Sequence, residues 1–136
     1  MAVFELDHRL AGDTFPVANL GLCQLRLMND SRWTWFIMVP QRPDISEIFD
    51  LTPLDQTMLT FETNLVASAL KSVMDCTKVN VAAIGNLVRQ LHVHVIARNE
   101  GDENWPAPVW GFGKAVPYSE TARQAAIETI MKALSA

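Results

Sequence analysis

The stretch LCQLRLMNDSRWTWFIMV, residues 22–39, is what most narrows the fold. In its first half Cys23, Leu25 and Leu27 alternate with Gln24 and Arg26, the period-two pattern of a strand with one face turned to a core. Asn29, Asp30 and Ser31 then supply side chains that bond their own backbone in turns, and WTWFIMV resumes as an aromatic and β-branched run closed by Pro40. Two such runs joined by so short a turn pair as an antiparallel hairpin, because a parallel pair needs a crossover of a dozen or more residues.

The rest of the chain agrees with that start. Thr52 as N-cap, Pro53 at the first helical position and Asp55 three residues after the cap mark a helix start. Leu54, Met58, Phe61, Leu65 and Ala69 follow at spacings of three and four, which predicts one apolar stripe packed on the sheet. KVNVAAIG (78–85) and LHVHVIAR (91–98) read as two strands joined around Gly85 and Asn86. The tail from Tyr118 to Ala136 reads as a second helix with Ile127, Ile130 and Leu134 on one face, and residues 99–117, dense in Gly, Pro and Trp, as an ordered surface loop. Strands grouped as hairpins beside a few helices predict a single α+β domain over residues 1–136, built on an antiparallel sheet.

Composition excludes some functions. A net charge of −4 with no basic run offers no face for sequence-independent binding to nucleic acid. The apolar runs fall short of the ~20 residues a membrane helix needs, and MAVFELDHRL lacks the basic-then-apolar order of a signal peptide. Cys23 and Cys76 stand far apart in no metal or disulfide spacing, as expected of free thiols in the cytoplasm.

The remaining feature is chemical. In VRQLHVHVIAR, residues 88–98, strand alternation places Gln90, His92 and His94 on one face, with successive side chains about 6.6 Å apart. An imidazole buried without a partner costs about 1–3 kcal/mol, so packing alone does not account for two of them. Three readings stay open on spacing: a hydrated or hydrogen-bonded sheet face, two ligands of a metal site completed by His8, Cys23, Cys76 or a carboxylate, and a nucleophilic histidine with a second histidine beside it.

GNLVRQLHVHVIAR, residues 85–98, resembles the signature of the histidine-triad (HIT) superfamily of nucleotide hydrolases and transferases, His-φ-His-φ-His-φ-φ with φ apolar. Here it stands as Gln90-Leu91-His92-Val93-His94-Val95-Ile96, and FIMVPQR, ISEIFDL, the long helix, VNVAAIGN and a Trp-Pro loop follow the family's order. The chain looks most similar to the bacterial HIT-domain or diadenosine tetraphosphate hydrolase-like branch. The resemblance implies a sheet of about five strands with one long and one C-terminal helix, and a homodimer acting on a purine nucleotide or dinucleotide; no metal ligand set is evident and no cofactor is expected, although magnesium could accompany a polyphosphate substrate. It further implies that His92 attacks the α-phosphorus to form a nucleotidyl-histidine, that His94 orients the phosphate or protonates the leaving group, and that Gln90 binds phosphate in place of the usual histidine. Asn29, Asn80 and Asn86 match positions that approach the nucleotide in relatives.

Several positions depart from the pattern. Leu87 replaces a Ser or Thr hydroxyl, and Trp35 falls where relatives carry a further histidine. Trp105 and Trp110 match a loop that reaches toward the partner subunit's site, Arg98 would meet a distal phosphate or lie solvated at a strand end, and His8 stays on the surface. The departures keep a second reading in play, a nucleotide-binding or sensing protein with little turnover.

Overall fold

In the computed structural model, which describes residues 2–136, the hairpin over residues 22–39 forms as β2 (Cys23–Met28) and β3 (Trp35–Pro40), with Leu25 opposite Met38 and Leu27 opposite Phe36. Before it come a short helix α1 (His8–Asp13) and a strand β1 (Thr14–Asn19) that pairs with β2 at the edge of the sheet. Periodicity does not reveal β1, because Pro16 interrupts it and the register shifts between Pro16 and Ala18; an edge strand tolerates both. After the long helix α2 (Pro53–Met74), β4 (Lys78–Ala82) and β5 (Val93–Arg98) complete an antiparallel sheet of order β1-β2-β3-β5-β4, and α3 (Glu120–Ser135) closes the chain.

Helix α2 starts as its sequence dictates: the Thr52 hydroxyl accepts the Asp55 N–H at 3.2 Å, and Pro53 occupies the first turn. Its buried face, however, is Leu59, Glu62, Thr63, Val66 and Leu70, whereas Leu54, Phe61 and Leu65 are 72%, 61% and 41% exposed. The apolar stripe expected to pack on the sheet therefore points largely outward, with Met58 and Ala69 half-buried at its border. Glu62 explains why hydrophobicity misassigned the phase. Its carboxylate accepts the backbone N–H of Leu22 at 2.7 Å and of Cys23 at 2.9 Å, donors that open β2 and would otherwise be unpaired in the core. Gly21 makes room for it, since a Cβ there would stand 3.2 Å from a Glu62 oxygen.

α2 and α3 cover the sheet face that carries Cys23, Leu25, Leu27, Phe36, Met38, Val93, Val95 and Ala97, and Ile127, Ile130 and Leu134 of α3 pack there as their spacing predicts. The opposite face, with Trp35, Ile37, Val39 and Ile96, is covered by Leu10, Trp33 and Val109, with Phe4, Leu6, Met28, Val88 and Trp110 partly buried around them. Every residue of β3 and β5 is consequently buried, so these strands lack the polar-out alternation of a one-sided sheet. The link from β4 to β5 is a ten-residue excursion, residues 83–92, rather than a tight turn at Gly85 and Asn86. Gly85 turns it with φ +68°, a left-handed conformation that suits glycine. Among the described residues no helix is long and apolar enough to cross a membrane, and both cysteines are buried and free.

Candidate active site

β5 begins one residue after His92, so the polar face predicted for a single strand is assembled from two parts. His94 lies on β5 opposite Ile37 of β3, and His92 and Gln90 lie on the incoming loop. Both histidines are nearly enclosed, 7% and 4% exposed, and their rings meet edge to face with centroids 4.9 Å apart. The hydrated-face reading does not hold, because the N-terminal segment and the 99–117 loop cover this side of the sheet.

Each ring is held in one tautomer by a single hydrogen bond. Nδ1 of His92 lies 2.7 Å from the backbone oxygen of Gln90; a carbonyl only accepts, so Nδ1 carries the proton and Nε2 keeps its lone pair. In His94 the relation is reversed. The Trp35 indole N–H donates to His94 Nδ1 at 3.0 Å, which places that ring's proton on Nε2. Burial, and then the charge of His92, lowers the His94 pKa from its ordinary value to about 3. The ring of His94 is thus held neutral, with its N–H on Nε2. Trp35, where relatives carry a further histidine, therefore supports His94 and not His92, through its indole N–H.

Trp35→Phe tests this arrangement directly, since it keeps the ring and removes the donor. The second tautomer of His94 is expected to appear in imidazole NMR spectra, while its pKa stays low because the burial that lowers it is kept. Any turnover should fall about tenfold, the equivalent of one hydrogen bond of about 1–1.5 kcal/mol. A His94 that keeps a single tautomer in Trp35→Phe would mean that the indole contact does not set its state.

A cleft of about 510 Å³ opens in front of the pair, within the range of about 300–1,000 Å³ typical of small-molecule sites. Its walls are mostly apolar: Leu10 from α1, Met28 at the end of β2, Val88, and Trp110, whose ring meets His94 edge to face at 5.1 Å. Asp13 is the carboxylate on its rim. Sequence reasoning missed Leu10, Asp13 and Met28. Met28 was the legible one, because alternation puts it on the face opposite Leu25 and Leu27. His92 also lines a second cavity of about 280 Å³, with Ile48, Phe49, Ile84 and Arg89.

The other expected site residues divide. Asn86 lines the large cleft with His92 and His94, and so does the exposed Leu87. Asn80 and Asn29 do not. The Asn80 side-chain oxygen accepts from Arg98 at 3.1 Å, and that of Asn29 accepts the Tyr118 N–H at 2.9 Å, so both brace the scaffold around the cleft. Gln90 commits its amide oxygen and one of its two N–H groups to the N-terminal segment, so its side chain is anchored there rather than free in the cleft. Arg98 is not solvated and does not line the cleft: it is 1% exposed and forms a two-point ion pair with Asp102 at 2.9 and 2.8 Å. Trp105 stacks over its guanidinium at 5.5 Å, and Trp110 reaches the histidines of its own chain. Among the described residues no group of three or more His, Cys, Asp or Glu side chains gathers in a way that could hold a metal ion.

The family model described as HIT domain matches residues 11–101. The chain is similar to a histidine triad (HIT) protein of Sinorhizobium meliloti 1021, with 63% identity and a TM-score of 0.94 over 95% of this chain and 96% of that one. It is also similar to histidine triad proteins of Bradyrhizobium japonicum and Marinobacter aquaeolei VT8, each 40% identical with a TM-score of 0.96 over 98% of this chain. These cover 99% and 98% of those chains. No curated protein matches the chain.

Proposed function

Because the chain belongs to the HIT-domain family, we propose that it is a nucleotide hydrolase that releases a nucleoside monophosphate through a covalent nucleotidyl intermediate on His92. The observation that supports this most is the pair of opposed tautomers, a lone pair on His92 Nε2 beside an N–H on His94 Nε2, at the back of one cleft.

In the first step His92 Nε2 bonds to the α-phosphorus, and the bond from that phosphorus to the bridging atom breaks with its electron pair going to the leaving group. The ring becomes cationic, and its Nδ1–H bond to the Gln90 carbonyl strengthens as the charge develops. His94 donates from Nε2 to a non-bridging oxygen, with Asn86 at the mouth of the cleft as a further donor. Water then attacks phosphorus, the Nε2–P bond breaks, and the monophosphate leaves with the water's oxygen while the water's proton passes to solvent.

A neutral His94 stabilises charge without handing over a proton, so this site favours leaving groups that depart as anions. Phosphoanhydrides such as purine dinucleoside polyphosphates are better matched than phosphoramidates, whose amine must be protonated to leave. Incubation with an α-phosphate-labelled diadenosine polyphosphate should yield an acid-labile adduct on the intact protein and steady release of the monophosphate. Nucleotide binding without label or product would replace the hydrolase by a binding protein.

The assembly that fits this reading is a cytoplasmic homodimer. Leu54, Phe61 and Leu65 leave an apolar stripe on the outer side of α2, and β4 ends the sheet with its outer edge unpaired among the described strands and Val81 half exposed. Phe61→Asp should convert a dimer into a monomer by light scattering. A wild type that is monomeric at micromolar concentration would remove this element of the proposal.

A further inference from the structure

The first position of the histidine motif has changed its task rather than lost it. The Gln90 side-chain N–H donates to the Glu5 carbonyl at 2.8 Å, and its oxygen accepts the Asp7 N–H at 2.8 Å. A parallel strand residue offers its neighbour the same pair, one donor and one acceptor to two residues that flank a third. The amide thus binds residues 5–7 as if it were a peptide group, whereas an imidazole carries its two nitrogens on diverging vectors of a rigid ring.

What the clamp secures is a loop with little support of its own. Residues 83–92 make no strand pairing. Besides Gln90, the loop is tied by the Leu91 N–H to the Ile45 carbonyl at 2.9 Å and by Arg9, whose guanidinium donates to the Leu87 carbonyl at 3.2 Å. Two of these ties run to the N-terminal segment. Phe4 and Leu6 anchor that segment beneath the sheet, and it continues into α1, which contributes Leu10 and Asp13 to the cleft wall. The backbone carbonyl of Gln90 is the group that fixes the His92 tautomer.

We infer that Gln90 is a positioning residue for His92: by clasping residues 5–7 it makes the N-terminal segment a strap that holds the Gln90 carbonyl in line with Nδ1 and the cleft wall in place, without touching substrate. Its effect on turnover rests on the hydrolase reading; its effect on the His92 ring does not.

Two variants remove the clasp from opposite sides. Gln90→Leu deletes the amide. Asp7→Pro deletes the N–H it accepts, at a residue whose φ of −54° proline can adopt. Asp7→Ala serves as the control, because it loses the carboxylate that caps α1 but keeps the N–H. Imidazole nitrogen NMR of His92 should show one tautomer in the wild type and in Asp7→Ala, and a mixture in Gln90→Leu and Asp7→Pro. The kcat for a diadenosine polyphosphate should fall by on the order of 10- to 100-fold in each clasp variant with KM little changed, as for a misplaced reacting group. The double variant should be no worse than either single one.

A folded Gln90→Leu that keeps one tautomer, or that raises KM and adds its loss to that of Asp7→Pro, would overturn the inference and return Gln90 to the phosphate. If Gln90→Leu does not fold, Asp7→Pro decides by the same spectrum. A wild type without turnover but with a clasp-dependent tautomer would overturn the hydrolase reading and leave the clamp standing.

Discussion

Replacement of His92 by asparagine is expected to lower turnover of a dinucleoside polyphosphate by on the order of 10⁴-fold or more, the scale of loss when a covalent nucleophile is removed. The amide has no ring nitrogen to bond phosphorus, so the two-step route closes. Affinity for the intact substrate should persist, because His94, Trp110, Leu10 and Met28 still shape the cleft. Single-turnover kinetics and equilibrium binding separate the two effects. A His92→Asn protein that still hydrolyses at even a tenth of the wild-type rate would mean that another group attacks. Residual activity through direct attack by water would remain small, since the donors alone orient the phosphate without supplying a nucleophile.

The largest expected loss of stability lies away from the histidines. Asp102→Ala should destabilise the fold by about 3–5 kcal/mol, because it strands a guanidinium that is almost wholly buried. Arg98 would keep its bonds to Asn80 and to the Ala107 carbonyl, but no countercharge pairs with it. Urea unfolding measures the loss directly, and a shift below about 1 kcal/mol would show that water enters to solvate the cation. The effect should reach the site as well. Asp102 closes the start of the 99–117 loop through the Asn99 N–H, and the Trp33 indole donates to the Glu103 carbonyl at 3.1 Å, contacts that set where Val109 and Trp110 arrive.

The same pair sets a pH dependence. Burial pushes the Asp102 carboxyl up, but the hydrogen bonds from Arg98 and the Asn99 N–H, together with the Arg98 charge, more than offset it and leave the pKa below the ordinary aspartate value. A carboxylate depressed on folding contributes stability above its unfolded pKa of about 3.9 and loses it as pH falls through the lower folded value. His94 acts in the same direction from higher pH. The unfolded chain protonates it near 6.5 while the folded one resists to about 3, so stability falls across that interval as pH is lowered. Wild-type stability should therefore decline from near neutrality downward, and the Asp102→Ala protein should lack only the steepest, most acidic part of that decline.

Local rules carried the reading furthest where the physics is local. The hairpin of residues 22–39, the Thr52-Pro53 helix start and the inward side of α3 all follow from side-chain alternation, helical spacing and capping, which operate over a few residues. The motif itself was equally legible, because two histidines in an apolar run have no packing reason to be there. What the sequence could not show is what meets what across the chain. Glu62 looks like a solvated helix residue until Leu22 and Cys23 bring it two unpaired amides, and with it the whole face of α2 turns. Arg98 looks like a strand end until Asp102 folds back on it, and Gln90 looks like a free amide until residues 5–7, more than eighty positions away, take up its oxygen and one of its N–H groups. The tautomers of His92 and His94 belong to the same class. One is set by a backbone carbonyl two residues away in a loop that no periodicity describes, and the other by Trp35 on the adjacent strand. A buried polar group takes its state from the partner that replaces water, and only the tertiary structure decides which partner that is.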